Sequence, residues 1–179
     1  MKLTTFLLAL LPLTLAAPIE KRALTLRTYD SMSISGGRAG NAQSEALAKF
    51  TAGLGFTGLP NTQQALAVSA NDLKILKVER ENAEKAETEA FNPAIDRASG
   101  AAKDALQCGK IKNKVLKLTG LAIVRRIDLA QRTAKGQDVT ELRAQLDDTE
   151  KKLANNIKTD QASAGKSCTA VRFTGKTRV

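Results

Sequence analysis

Histidine is absent from this 179-residue chain, and so is tryptophan; tyrosine occurs once, at Tyr29, and cysteine twice. Without histidine the usual general base is missing, together with every Ser-His or Cys-His nucleophile pair and most zinc and copper ligand sets. With aromatics at 3%, the chain lacks the stacking platforms of sugar-binding lectins and single-strand nucleic-acid binders. No Asn-x-Ser/Thr triplet occurs, so N-glycosylation is not expected. The apolar run from Leu3 to Leu15 falls short of the roughly 20 residues of a spanning helix and contains Pro12, and no later stretch comes nearer. No integral membrane span is expected, and no metal site, catalytic residue or small-molecule cofactor is implied.

What is present begins with an export arrangement. A basic start at Met1-Lys2, the apolar run and a small-residue end at Ala16 mark residues 1–16 as a signal peptide. Residues 17–22 read as a short pro-segment closed by the dibasic pair Lys21-Arg22, where a kexin-type protease leaves Ala23 as the mature start, a fungal style of export. The expected location is extracellular. Residues 23–179 then form one domain, long enough to bury about 70% of its extended-chain surface. That domain carries 25 basic side chains against 17 acidic, a net charge of +8. Such a surface suits a polyanionic partner, an acidic glycan or an anionic lipid surface, or an unidentified protein.

The periodicity predicts helices. After a leader in which Thr25 to Ile34 alternates as a short extended segment, Ala42, Ala46, Leu47 and Phe50 form one small helical face, ended by Gly53, Gly55, Gly58 and Pro60. A long helix follows from about Ser69, with a break or kink at Asn92-Pro93, a restart that Asn92 can cap, and a stop at Cys108-Gly109. The next, about Lys110 to Lys135, ends at Gly136; Asp138 and Glu141 make a capping-box pattern for the last, about Val139 to Ala162. Short connections between long helices imply antiparallel neighbours. The expected fold is an all-α, up-and-down antiparallel bundle of long helices with a smaller N-terminal helix and one disulfide, over residues 23–179 with a basic C-terminal tail. In that layout the last helix returns Cys168 to the neighbourhood of Cys108, so the two cysteines of an exported chain pair.

Four groups could carry function. The basic helix holds Lys110, Lys112, Lys114 and Lys117, followed by Arg125, Arg126, Arg132 and Lys135. It lies between a segment with seven acids to five bases (72–97) and one with six to four (138–160), so it can complement its neighbours instead of binding a ligand. The tail residues Lys166, Arg172, Lys176 and Arg178 have no acidic neighbour in sequence and are the better candidates for an exposed anion contact. The glycine-rich Gly36 to Gly40 lacks the Gly-Lys-Ser/Thr ending of a phosphate loop and reads as packing. Glu79, Glu81, Glu84, Glu87 and Glu89 read as a solvated helix face rather than a glycosidase pair.

The runs from Tyr29 to Ala42, Ala90 to Ile95, Gly109 to Leu118 and Asn155 to Lys158 resemble a group of small secreted proteins of filamentous ascomycete fungi. That group is defined by sequence and export rather than by activity, and its members are often treated as candidate effectors or wall-associated proteins. The resemblance implies a secreted fungal protein and brings no catalytic residues with it. Two classes of function follow from the residues: a non-catalytic interaction protein with cationic contacts, or an apolar-ligand or interface-active helical carrier. A third, an enzyme built from carboxylates and lysines alone, requires a convergent pair of buried carboxylates.

Overall fold

The computed structural model describes residues 23–179; Ala16 and the dibasic Lys21-Arg22 lie outside the described residues. In chain order the elements are α1 (Tyr29–Met32), β1 (Gly37–Arg38), α2 (Ala42–Thr51), α3 (Thr62–Leu66), α4 (Ala70–Ala86), a π-turn (Glu87–Phe91), α5 (Asn92–Arg97), α6 (Gly100–Ala134), α7 (Thr140–Ala162) and β2 (Ser167–Cys168). Helix α6, 35 residues and about 52 Å long, is the central element, against which α2, α3, α4 and α7 all pack. Ion pairs between Lys77 and Asp128 and between Lys117 and Glu87 set α4 antiparallel to α6; Arg126–Glu150 and Cys108–Cys168 set α7 antiparallel to it. The all-α, up-and-down fold is therefore the one the periodicity predicts. Phe50, Leu76, Val115, Leu116, Ile123 and Ile127 are fully buried at its centre. Among the described residues no helix is long and apolar enough to cross a membrane.

Three boundaries differ from the sequence expectation. Cys108-Gly109 does not end a helix: α6 begins eight residues earlier and runs straight through it. Gly109 is there because the backbone carbonyls of Thr169 and Ser35 lie against its Cα, where a Cβ would collide. At the expected break or kink, Pro93 distorts the helix without breaking it at Asn92. Lacking a donor and crowding the preceding turn, it widens that turn, so the Asn92 N–H reaches back to Glu87 O; the chain breaks only at Ala98 and Ser99, both extended. Asn92 accordingly has helical dihedrals and caps nothing. Gly136 does adopt the left-handed conformation (φ 67°), and Gln137 N–H bonds Arg132 O to close a Schellman turn. At the start of α7, Asp138 accepts from Thr140 N and Oγ1 without a reciprocal bond from Glu141, a local turn in place of the expected box. Those two donated bonds lower the Asp138 pKa.

The leader is a strap rather than a strand. Leu24 N–H donates to Asp72 Oδ1 (2.9 Å), Arg27 forks onto Glu79, and Thr28 caps the short α1. Tyr29 is 1% exposed and donates to Asn113 Oδ1 (2.9 Å), whose amide in turn donates to Ala83 O. The C-terminal tail crosses the same region: Asn82 and the Lys176 backbone exchange two hydrogen bonds (3.0 and 2.8 Å), and Phe173 meets Tyr29 edge to face at 5.7 Å.

Burial raises the Tyr29 pKa above its ordinary 10.0, with nearby Ser33 and Ser35 opposing the shift and Asp30 adding to it. A raised pKa means the unfolded chain loses this proton first, so the stability it contributes is present below about pH 10 and lost as pH rises through the folded value. Since Tyr29 is the one tyrosine and there is no tryptophan, tyrosinate absorbance reports this residue alone. The signal is expected to appear later than in free tyrosine and together with loss of helical circular dichroism. A reversible titration at the ordinary value in folded protein counts against a buried hydroxyl.

Candidate functional site

Half of the basic helix is internally neutralised, Lys112, Lys114, Lys117 and Arg126 each pairing with a carboxylate. Lys112 is 1% exposed; its Nζ donates to Gly36 O (2.9 Å) and Arg38 O (3.0 Å) and pairs with Glu45 (2.9 Å), so it is a strut tying β1 and α2 to α6 and not an anion contact. Lys114 and Lys117 converge on Glu87 at 3.6 and 2.5 Å. The tail is likewise tethered: Arg172 lies 3.5 Å from Asp30, and Lys176 pairs with Glu81 at 2.7 Å. The glutamate series splits rather than forming one solvated face, since Glu79 and Glu87 are buried while Glu84 and Glu89 are exposed. Each buried one faces cations, Arg27 or the Lys114–Lys117 pair, so they do not converge as an acid and base couple. Among the described residues no cluster of carboxylates or thiols is arranged to hold a metal ion.

Of the candidate cations, Lys110, Arg125, Arg132, Lys135, Lys166 and Arg178 remain without a carboxylate partner among the described residues. Lys166 belongs to the two-stranded ribbon of β1 and β2, in which Gly37 pairs with Cys168 and Arg38 with Ser167. Arg38 is exposed and donates only to Gly165 O (2.6 Å). The ribbon is pinned to α6 by the disulfide, with Cα atoms 4.9 Å apart, and by Thr169 N–H to Ala105 O. Lys103 and Lys110 share one side of α6, about 100–160° around its axis from Ala105 and Gly109, which meet the ribbon. Lys158 lies near the end of α7, two residues before Asp160, whose Oδ2 caps α2 by accepting from Gly40 and Ala42 N–H (3.0 Å each). The disulfide end thus carries Arg38, Lys103, Lys110, Lys158 and Lys166 without carboxylate partners among the described residues. Among the described residues its acids are partly engaged: Glu45 holds Lys112 and Asp160 is buried, while Asp96 and Asp104 are exposed.

The chain belongs to the family described as a domain of unknown function, DUF8454, which matches residues 24–172. The DUF8454 segment opens at Leu24, the first residue bonded to α4, and spans both cysteines and the whole of α6. The chain matches no curated protein and no solved structure.

A second feature of this DUF8454 member lies at the other end of α6. There α3, α6 and α7 enclose an open groove of about 530 Å³, with Leu66, Leu129, Ala130 and Leu146 among its walls and Arg126 and Arg143 at its edge. Helix α3 is short but fixed, by a capping box between Asn61 and Gln64 and by Gln131 Nε2 donating to Val68 O (2.9 Å). It buries Ala65 and leaves Leu66 45% exposed. Arg126 is held by Glu150 through Nε (2.8 Å) and Nη2 (2.6 Å), whereas Arg143 is exposed and has no carboxylate partner among the described residues. Its neighbour Arg125 is a staple instead, donating to Gln145 O (2.6 Å) and to Thr149 Oγ1. Partial burial lowers the Arg125 pKa, and the like charge of Arg80 adds to that. Sequence reading missed α3 and this groove, because a five-residue helix shows too little periodicity to mark a face.

Proposed function

We propose that this DUF8454 protein is an exported, non-catalytic binding protein of the small-secreted-protein type found in filamentous ascomycetes, which docks on an acidic polysaccharide at the wall or host surface. The observation that carries it is the set of five cations at the disulfide end without carboxylate partners among the described residues, Arg38, Lys103, Lys110, Lys158 and Lys166. They arise from four different elements or their flanks and are held by a covalent cross-link. The signal-type N-terminus and the paired cysteines support an oxidising, extracellular setting. Anionic lipid is the competing surface, and the carrier reading draws support from a separate feature, the Leu66 groove.

Retention of residues 23–179 on an immobilised acidic glycan is expected at low salt and is expected to fall steeply toward physiological salt. Lys110→Glu with Lys166→Glu is expected to lower the salt slope by about one per contact removed, with helical content unchanged. Absence of retention at low salt, or equal retention by the double variant, sinks the proposal. Anionic vesicles in a parallel arm decide between glycan and lipid.

A further inference from the structure

We infer that the groove between α3, α6 and α7 binds a single-chain amphiphile with an anionic head, its acyl chain on Leu66, Leu129, Ala130 and Leu146 and its head at Arg143. The inference rests on the carrier reading and is independent of polyanion docking, because Leu129 lies about 30 Å along α6 from Cys108.

Leu66 is the first reason. Among the described residues the only other large apolar side chain so exposed is Val179. A leucine held outward by a capped helix and a hydrogen bond to α6 is a fixed surface, and nothing among the described residues covers it. The second is charge. Two guanidiniums line the groove beside Leu66, Leu129 and Leu146 and the polar Asn61, Thr62 and Thr133, and Glu150 offsets only Arg126, which leaves Arg143 to meet an anion. An arginine fork suits a carboxylate and forms charge-assisted bonds, stronger where apolar walls displace water. The third is size and lining. About 530 Å³ lies within the roughly 300–1,000 Å³ of small-ligand sites, whereas a stable protein partner would need on the order of 1,200 Å² of interface. The walls hold no aromatic ring to stack a sugar or a base.

Dodecanoate, below its micellar concentration, is the probe, titrated calorimetrically into oxidised residues 23–179 while leucine methyl signals are followed by NMR. One-to-one binding that shifts the methyls of Leu66, Leu129 and Leu146 is expected. Arg143→Ala and Leu66→Gln are exposed-site changes that leave the fold intact, and each is expected to weaken binding about tenfold or more. Neutral dodecanoyl glycerol and cationic dodecylammonium are expected to bind at least about tenfold more weakly. No binding, or binding indifferent to both substitutions, overturns the inference. Equal binding of the neutral amphiphile overturns the anionic specificity while keeping the carrier reading. Sedimentation as a Leu66-dependent dimer that excludes dodecanoate would assign the groove to a second copy of the chain and overturn it too. Lys110→Glu with Lys166→Glu is expected to leave dodecanoate binding unchanged, which keeps this result separate from the fate of glycan docking.

Discussion

Arg27→Ala is expected to destabilise the fold by about 3–5 kcal/mol, the range for removing one partner of a buried ion pair. The Glu79 side chain is 0% exposed and that of Arg27 26%. Glu79 Oε1 accepts from Arg27 Nε (2.8 Å) and from the Arg27 backbone N–H (3.1 Å), and Oε2 accepts from Nη2 (2.7 Å); the remaining Nη1 donates to Lys49 O (2.7 Å). One guanidinium therefore ties the N-terminal strap to α4 and to the last turn of α2. Truncation leaves a carboxylate inside the protein with only a backbone donor. Urea unfolding followed by far-ultraviolet circular dichroism measures the effect, since a chain without tryptophan offers little intrinsic fluorescence. Glu79→Met added to Arg27→Ala is expected to recover most of the loss, because the cost lies in the stranded charge and not in the missing pair. A loss below about 1 kcal/mol for Arg27→Ala would place the pair among ordinary surface salt bridges.

This pair also shows why part of the fold was legible in the sequence and part was not. Helices α2 and α7 begin and end, and α4 begins, within a residue or two of their expected positions, since caps, glycines and apolar stripes are local signals. Ser69, for example, accepts from Asp72 N–H at the start of α4. The disulfide was legible from helix lengths alone. Arg27 and Glu79 were not, being 52 residues apart and looking like a leader residue and a solvated helix face. Lys112 and Asp160 fail to stand out for the same reason: their acceptors and donors come from segments 74 to 120 residues away. Gly109 misleads in a further way. A glycine that ends a helix and a glycine that lets another backbone approach are the same letter, and only the position of Thr169 distinguishes them. The candidate cations divide along this line. The pairing of Lys114 and Lys117 with Glu87 is the complementation by the preceding helix that the charge balance suggested, whereas the partners of Lys112 and Lys176 lie far away in sequence, at Glu45 and Glu81.

Replacing both Cys108 and Cys168 by serine is expected to cost about 4 kcal/mol, the chain-entropy value for a sequence separation of 60. At roughly 2–4 °C per kcal/mol for a domain of this size, the thermal midpoint should fall by about 10 °C. The effect lies mostly in the unfolded chain, which gains conformations when the loop opens. The native ribbon keeps its other ties: the β1–β2 pairing, Ala39 N–H to Lys166 O, and Thr169 N–H to Ala105 O. Two consequences separate this account from one in which the disulfide holds the native end together. The denaturant slope should rise, since an uncross-linked chain exposes more surface on unfolding. Below the new midpoint, dodecanoate binding should be unchanged, the groove being about 30 Å from the cysteines. Glycan retention should weaken only where the ribbon frays, because Arg38 and Lys166 owe their positions to it. A midpoint lowered by less than about 2 °C would mean that the unfolded chain is already compact around these residues and that the cross-link contributes little to the free energy of folding.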